Sequence, residues 1–156
     1  MLFANQVVLI TGAGRGIGRA LAGTFAEQGA IIAANDIIPL GLDESLAEIQ
    51  ALGCQGRDYI FDVAKRMPVQ ALFDQLLEDW GRVDIVINNA AVEPVAGILD
   101  MDEWDFLRTL DVNLAGAFFS MQHAGRAMRA LGGGVIVNIA AADAYLAARP
   151  NRAAYA

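Results

Sequence analysis

Glycines are concentrated in residues 11–18, directly after a short apolar run and before a helical pattern. They stand at Gly12, Gly16 and Gly18, a Gly-x-x-x-Gly-x-Gly spacing that differs from Gly-x-Gly-x-x-Gly and from the P-loop. Glycine permits a tight turn and close approach of an anion, and the following helix N-terminus offers N–H groups and partial positive charge. The segment predicts a phosphate-binding turn, with a strand-to-helix turn that binds nothing as the alternative.

An acidic residue, Asp36, follows this glycine loop. In dinucleotide-binding proteins the acidic residue that binds the ribose typically lies about 20 residues after the loop, as Asp36 does here. Its carboxylate can accept hydrogen bonds from ribose hydroxyls and would repel a 2′-phosphate, which favours NAD over NADP. Arg15 in the loop would help to bind a 2′-phosphate, whereas Ile37 adds no second positive charge. NAD is therefore the predicted cofactor and NADP the less favoured one, although Asn35 and Asp36 are also typical of a turn.

The elements that position these residues alternate along the whole chain. Short apolar runs predict strands at 7–10, 30–35, 57–61, 83–88 and 135–139. Helical periodicity predicts helices at 15–28, 42–52, 68–80 and 103–131. Continuous apolar strands that alternate with helices indicate a parallel sheet covered on both faces, and right-handed crossovers make it doubly wound. We predict one Rossmann-like α/β domain over residues 1–156, with five parallel strands.

A second carboxylate, Asp62, ends the third predicted strand as Asp36 ends the second. Carboxyl ends of neighbouring parallel strands lie on one edge of a sheet, and open α/β sheets bind their ligands at that edge. We therefore expect Asp36 and Asp62 to face the same ligand.

Composition excludes several classes of protein. Of the 156 residues, 56% are hydrophobic and 19% charged, which excludes a disordered chain. The net charge of -7 argues against nucleic acid and anionic membrane partners. One cysteine (Cys54) and one histidine (His123) give too few soft ligands for a metal site and allow no internal disulfide. With no signal peptide or apolar run of ~18–20 residues, a cytoplasmic protein is expected.

Residues 83–91, Val-Asp-Ile-Val-Ile-Asn-Asn-Ala-Ala, resemble the classical short-chain dehydrogenase/reductase family. That family carries Asn-Asn-Ala-Gly after its fourth strand, and here Ala91 takes the place of the glycine. The resemblance extends from about residue 5 to the end of the chain. It includes Asp111-Val112-Asn113-Leu114, the strand at 135–139 and the pair Asp62-Val63.

The resemblance implies hydride transfer between a nicotinamide cofactor and a small alcohol or ketone. It places the pyrophosphate on Gly12, Gly16, Ile17 and Gly18, the adenosine ribose on Asp36, and adenine on Asp62 and Val63. It also places Asn89 and Ala90 along the cofactor. Two catalytic roles are implied: Asn113 holds a water in a proton relay, and Tyr155 is the general acid/base of a Tyr-x-x-x-Lys motif.

Two members of the family's catalytic set have no counterpart in the sequence. The lysine would fall at position 159, whereas the sequence ends at Ala156. The serine two residues past the fifth strand corresponds to Ala141, and its neighbours Ala140 and Ala142 also lack a hydroxyl. Loss of a positioned donor to a developing oxyanion typically costs ~10²–10³ in rate. A non-catalytic nucleotide-binding relative, or an inactive fragment, is therefore the alternative to the oxidoreductase.

The family's size of about 250 residues implies that C-terminal strands and helices are missing, so that the chain as written is expected to be inactive. The fifth strand would then be an open edge. Apolar residues of the helix at 103–131, among them Phe118, Phe119 and Met121, exceed what the sheet can bury. The family uses this helix as an oligomer interface, so a homo-oligomer is expected in the intact protein.

Overall fold

A computed structural model describes residues 1–141 and 150–155. Its strands are β1 (Val7–Thr11), β2 (Ile31–Asp36), β3 (Gly56–Ile60), β4 (Ile85–Asn88) and β5 (Val135–Asn138). Its α-helices are α1 (Gly16–Glu27), α2 (Pro39–Ala51), α3 (Arg66–Trp80), α4 (Glu103–Leu110) and α5 (Ala117–Ala130). A π-helical turn, Asp111–Gly116, joins α4 to α5.

The strands form one parallel sheet in the order β3-β2-β1-β4-β5. From β1 the chain winds outward through β2 to β3, and it then crosses back to place β4 on the other side of β1. This reversal opens a crevice at the carboxyl ends of β1 and β4, where ligands bind in open α/β sheets. The predicted doubly wound sheet of five parallel strands is confirmed.

Alternate residues of the strands supply two separate cores. Leu9 and Val86 pack on one face with α3 and α5, in a cluster that includes Phe73 and Met128. The neighbouring strand residues pack on the other face with α1 and α2, in a cluster that includes Val8, Ile10, Ala22, Leu42 and Ile87. Both faces are apolar because helices cover both, as parallel strands require.

Helix boundaries differ from the sequence prediction by a few residues at the N-terminal ends. Helix α2 begins at Pro39, three residues before the predicted start, and Pro39 occupies the first turn, where proline is tolerated. Helix α3 begins at Arg66, two residues before Pro68. At its end, Gly81 adopts φ 69° and donates its N–H to the Leu77 carbonyl, a left-handed helix cap that favours glycine.

The single helix predicted at 103–131 is interrupted by the π-helical turn. Within this turn the Asn113 side chain leaves the helix and pairs with the backbone of Val92, which it meets as donor and as acceptor. Gly116 at the end of the turn lies against Val63, where a Cβ would stand 3.1 Å from the Val63 carbonyl oxygen. Wide turns of this kind are frequent at functional sites.

Exposed apolar side chains lie on β5, on the π-helical turn and at the start of α5. Among the described residues β5 pairs only with β4, and its Val135 and Val137 are exposed. Leu114 and Phe118 are 68% and 54% exposed, whereas Phe119 packs partly against the core. No helix in the described part of the chain is long and apolar enough to cross a membrane.

Replacement of Gly18 by alanine tests how closely α1 packs on the sheet. A Cβ at Gly18 would overlap the Gly12 carbonyl oxygen and lie 2.7 Å from Nδ2 of Asn89. We expect G18A to lower the free energy of unfolding by about 1–3 kcal/mol, as overpacking does. Chemical denaturation measures this.

The matched control is G23A, also within α1, because a Cβ at Gly23 meets no atom within 4 Å. Alanine is a better helix former than glycine by ~1 kcal/mol, so G23A is expected to be neutral or stabilising. Equal stability of G18A and G23A would contradict this packing.

Candidate functional site

A groove of about 570 Å³ lies at the carboxyl ends of the strands, within the size range of small-molecule sites. The glycine loop forms one wall, and the segments after β3 and β4 form the other. The groove is lined by every predicted cofactor-binding residue except Gly18: Gly12, Arg15, Gly16, Ile17, Asp36, Ile37, Asp62, Val63, Asn89 and Ala90.

The glycine loop presents backbone to this groove. Gly12 and Gly16 have φ of +67° and +55°, a region that favours glycine. A Cβ at Gly16 would enter open space, so its backbone can be approached closely from the groove. Helix α1 begins at Gly16, and its first N–H groups therefore point toward the groove. Arg15 and Ile17 flank this helix start and are exposed.

Gly18 lies beneath the loop, between α1 and the sheet. Its neighbours are the Gly12 carbonyl and the Asn89 side chain, and no room remains there for a Cβ. Gly18 thus permits close packing of helix on strand, which is the role of a third glycine in dinucleotide-binding loops.

Thr11 and Asn89 tie the glycine loop to the end of β4. The Thr11 hydroxyl accepts hydrogen bonds from the N–H groups of Asn89 and Ala90, both at 3.0 Å. In return the Asn89 amide donates to the carbonyls of Thr11, at 3.0 Å, and Gly12, at 3.2 Å. Thr11 was not predicted as a site residue, although a polar residue at the end of an otherwise apolar strand was an available signal.

Asp36 turns its carboxylate toward the glycine loop. Oδ2 accepts a hydrogen bond from the Gly14 N–H at 3.1 Å. Oδ1 accepts from the N–H groups of Ile37 and Ile38 at 2.8 and 3.2 Å. These contacts fix the carboxylate at the groove and leave one lone pair of Oδ2 without a partner among the described residues. That lone pair can accept a hydroxyl hydrogen.

Arg19 binds the glycine loop to α2 and was not selected from the sequence. Its guanidinium donates to the Gly14 carbonyl, to Oγ of Ser45 at 3.1 Å and to the Glu44 carboxylate at 2.7 Å. A cation in the first turn of a helix opposes the helix dipole. This unfavourable position was the signal that Arg19 has specific partners.

Asp62 pairs with Arg108 of α4, which sequence analysis also missed. Arg108 Nη1 and Nη2 lie 2.8 and 3.1 Å from the two carboxylate oxygens, and both residues line the groove. Burial alone would raise the pKa of Asp62. The hydrogen bonds from Arg108 and from the Ala64 N–H outweigh burial and hold this pKa below its usual value. Nothing in the local pattern links residues so far apart in sequence.

A smaller pocket of about 240 Å³ adjoins the groove. The two share the lining residues Val63, Ala90, Ala91 and Val112 and therefore lie side by side. This pocket brings together the residues with predicted catalytic positions. It is lined by Asn113, Tyr155 and Ala141, with Asn88 and Asn138 among the remaining residues.

The Asn113 amide oxygen accepts from the Val92 N–H at 2.9 Å and its nitrogen donates to the Val92 carbonyl at 3.0 Å, and these two bonds hold the π-helical turn at the pocket. Ala141 places a methyl group in the pocket wall where the family's serine is expected. Ala142 lies outside the described residues. Asn88 donates to Asn138 at 2.8 Å, while Oδ1 of Asn88 is buried without a partner among the described residues.

A metal site finds no support in the same region. Within residues 1–141 and 150–155 there is no group of three His, Cys, Asp or Glu side chains able to hold an ion. His123 instead stacks on Phe73, with ring centroids 5.8 Å apart, and burial lowers its pKa.

A parallel doubly wound sheet, a glycine loop at its switch point and a strand-end carboxylate define a dinucleotide-binding α/β protein. Residues 6–156 match the sequence profile of the family described as short chain dehydrogenase. The chain belongs to this family, and the resemblance inferred from its sequence motifs is confirmed.

Curated relatives agree with this assignment. An uncharacterized oxidoreductase of Thermotoga maritima is 40% identical over 155 residues, which cover 99% of this chain and 61% of the relative. D-threitol dehydrogenase of Mycolicibacterium smegmatis is 39% identical over 92% of this chain and 55% of the relative. The chain thus spans little more than half the length of these relatives.

Solved structures show the same fold with nicotinamide cofactors. NAD+-bound xylitol dehydrogenase superposes with a TM-score of 0.94 at 35% identity, over 99% of this chain and 60% of that one. A metagenomic short-chain oxidoreductase in complex with NADP also gives a TM-score of 0.94, at 27% identity, over 99% and 70%. Members of the family thus bind either cofactor.

Removal of the Thr11 hydroxyl tests the contact between the glycine loop and β4. T11V would leave the N–H groups of Asn89 and Ala90 without their acceptor, and an unsatisfied buried group costs about 1–3 kcal/mol. We expect this loss in the free energy of unfolding, measured in urea. T11S keeps the hydroxyl and is expected to retain most of the stability, so equal losses in T11V and T11S would contradict the prediction.

Proposed function

We propose that the protein that carries this chain is an NAD-dependent oxidoreductase that transfers a hydride between the nicotinamide and an alcohol or carbonyl substrate. The observation that carries the proposal is the adjacency of two spaces. The groove of the glycine loop and Asp36 lies beside the pocket of Asn113 and Tyr155, and the two have four lining residues in common. One extended ligand can therefore place its nucleotide end in the groove and its reactive end in the pocket.

The described residues fit such a cofactor. The exposed backbone at Arg15 and Gly16 and the N-terminus of α1 provide N–H groups for a pyrophosphate on an otherwise acidic protein. Ile17, which is 63% exposed, offers apolar surface beside it. On the opposite wall Asn89 and Ala90 would lie along the cofactor, and Val63 would contact the adenine together with Asp62.

Charges at the end of the groove where Asp36 would bind the adenosine ribose favour NAD over NADP. Asp36 and Glu44 both line this end of the groove, and Glu44 neutralises Arg19 by direct contact. A 2′-phosphate would meet the Asp36 carboxylate, with Arg15 as the one arginine of the groove lining that has no ion-pair partner among the described residues. Ile37, beside Asp36, offers no charge to bind it. The balance supports NAD because an uncompensated carboxylate repels the phosphate.

In the pocket, Tyr155 would act as general acid/base toward the substrate oxygen. The bound nicotinamide supplies or accepts the hydride. Asn113 would hold the π-helical turn, and with it the pocket wall, in place through its two hydrogen bonds with Val92. From the same turn it would hold the water of the proposed proton relay. The lysine implied at position 159 lies beyond the printed sequence.

Substrate class and assembly follow from the same resemblance. A small alcohol or ketone is the proposed substrate. We propose a homo-oligomer in which the exposed apolar residues of the π-helical turn and α5, such as Leu114 and Phe118, are covered by a second copy. A single domain and a cytoplasmic location stay predictions from the sequence.

The second candidate function is nucleotide binding without catalysis. The observation that favours it is Ala141, whose methyl group lines the pocket at the position of the family's serine. Such a protein would bind NAD through the groove and leave alcohols and ketones unchanged.

Cofactor preference can be tested by removal of one charge, with the whole protein that carries this chain. D36N keeps the size of the side chain and removes its charge. We expect the wild type to bind NAD at least about tenfold more tightly than NADP, and D36N to lose most of this preference, since a hydrogen bond to a charged group contributes about 1.5–3 kcal/mol. Isothermal titration calorimetry gives both dissociation constants.

Asp43 supplies the matched control, because it is an exposed carboxylate of α2 that does not line the groove. D43N is expected to leave both dissociation constants unchanged. Tighter binding of NADP than NAD by the wild type, or an unaltered preference in D36N, would contradict the assignment of Asp36.

Introduction of the missing hydroxyl distinguishes the two candidate functions. If the pocket performs the family's chemistry, A141S adds a donor to the developing oxyanion and raises kcat/KM for alcohol oxidation by ~10²–10³. A130S, at the exposed end of α5, is the control and is expected to change nothing. NADH absorbance measures turnover over a panel of small alcohols. Absence of turnover in both wild type and A141S, with NAD bound, would support the non-catalytic relative.

A further inference from the structure

Arg108 projects from α4 into the wall of the groove and meets the carboxylate of Asp62. We propose that Arg108 is a positioning residue for adenine: it fixes the Asp62 carboxylate so that one oxygen accepts the exocyclic amino group of the cofactor. This inference rests on the proposed function, because it requires a bound adenine dinucleotide.

The contact between Arg108 and Asp62 has the geometry of a two-pronged pair. Nη1 donates to Oδ2 at 2.8 Å and Nη2 donates to Oδ1 at 3.1 Å. The side chains are 19% and 33% exposed, so the pair is shielded more than an ordinary surface ion pair. Two parallel hydrogen bonds fix the plane of the carboxylate as well as its position.

The hydrogen bonds of Asp62 among the described residues leave one acceptor site of its carboxylate open. Oδ1 accepts from Arg108 and from the Ala64 N–H at 3.0 Å, which occupies both of its lone pairs. Oδ2 accepts only from Arg108 among the described residues. A carboxylate oxygen has two acceptor sites, so Oδ2 retains one. An adenine amino group is a donor that fits this acceptor, whereas a carbonyl at the same ring position would repel it.

The surrounding charges favour the ionised acceptor. Lys65, in the turn after Asp62, pairs with Asp111 at 3.2 Å and adds attraction to the Asp62 carboxylate. Neither Lys65 nor Arg108 belongs to the glycine loop, and Arg108 lies on α4. The carboxylate of Asp62 is therefore oriented by a helix that is far away in sequence.

Lysine cannot reproduce this contact. An ammonium group donates from a single point, whereas the planar guanidinium holds both carboxylate oxygens. R108K would retain the charge and lose the fixed orientation. R108Q would lose both.

The test compares NAD with nicotinamide hypoxanthine dinucleotide, which carries a carbonyl oxygen in place of the adenine amino group. Calorimetry on the whole protein gives the two dissociation constants and their ratio. We expect wild type to prefer NAD by about tenfold, and R108Q and R108K to reduce that preference at least about threefold. A general loss of stability would weaken the binding of both dinucleotides alike and leave the ratio of their dissociation constants unchanged.

Arg82 offers a matched control, because it forms a similar two-pronged pair with Asp84 and does not line the groove. R82Q is expected to keep the wild-type preference. If R108Q does not fold, R108K carries the test, since it keeps the positive charge on α4.

The outcomes separate this inference from the proposed function. Equal binding of the two dinucleotides by the wild type, or an unchanged ratio in both Arg108 variants, overturns the role of Arg108 and leaves NAD binding intact. Failure of the wild type to bind either dinucleotide overturns the proposed function and the inference with it. A reduced ratio in the Arg108 variants, with R82Q unchanged, supports the inference.

Discussion

The rest of the site depends on the close approach of α1 to the carboxyl end of β1. At Gly18 the helix lies so near the Gly12 carbonyl that no side chain fits between them. This approach turns the N-terminus of α1 toward the groove and sets the width of the turn before it. Thr11 and Asn89 then fasten the turn to β4 through four hydrogen bonds that cross the switch point of the sheet. Glycine loop and strand end thereby form one rigid unit.

The local charges at the glycine loop would allow an acidic protein to bind an anionic ligand. Under the proposed function, backbone N–H groups would supply the attraction for a pyrophosphate, because they act locally where the net charge of -7 does not. Two of the three guanidinium groups that line the groove have other partners: Arg19 pairs with Glu44, and Arg108 with Asp62. These two cations shape the walls of the groove. Under the proposed function, the carboxylate of Asp36 would meet the ribose without an ion-pair partner among the described residues.

The sequence predicted the sheet and its helices from periodicity, and part of the groove from glycine and aspartate at strand ends. The groove residues Ile17, Val63, Asn89 and Ala90 were predicted from the resemblance to the family. The sequence could not predict the contacts of Thr11 or Arg108, because their partners lie far away in the chain and no local pattern records a pairing. The π-helical turn was missed for the same reason. Asn113 widens the helix by binding Val92 from another segment, and helical periodicity alone continues smoothly through it.

A crystal structure of the whole protein with NAD would show whether the groove and the pocket form one dinucleotide site. We expect the pyrophosphate over Gly12–Gly16, the adenosine ribose at Asp36 and the nicotinamide ring in the pocket of Asn113 and Tyr155. A nucleotide bound elsewhere, or one whose nicotinamide points away from Tyr155, would contradict the claim that groove and pocket form one dinucleotide site.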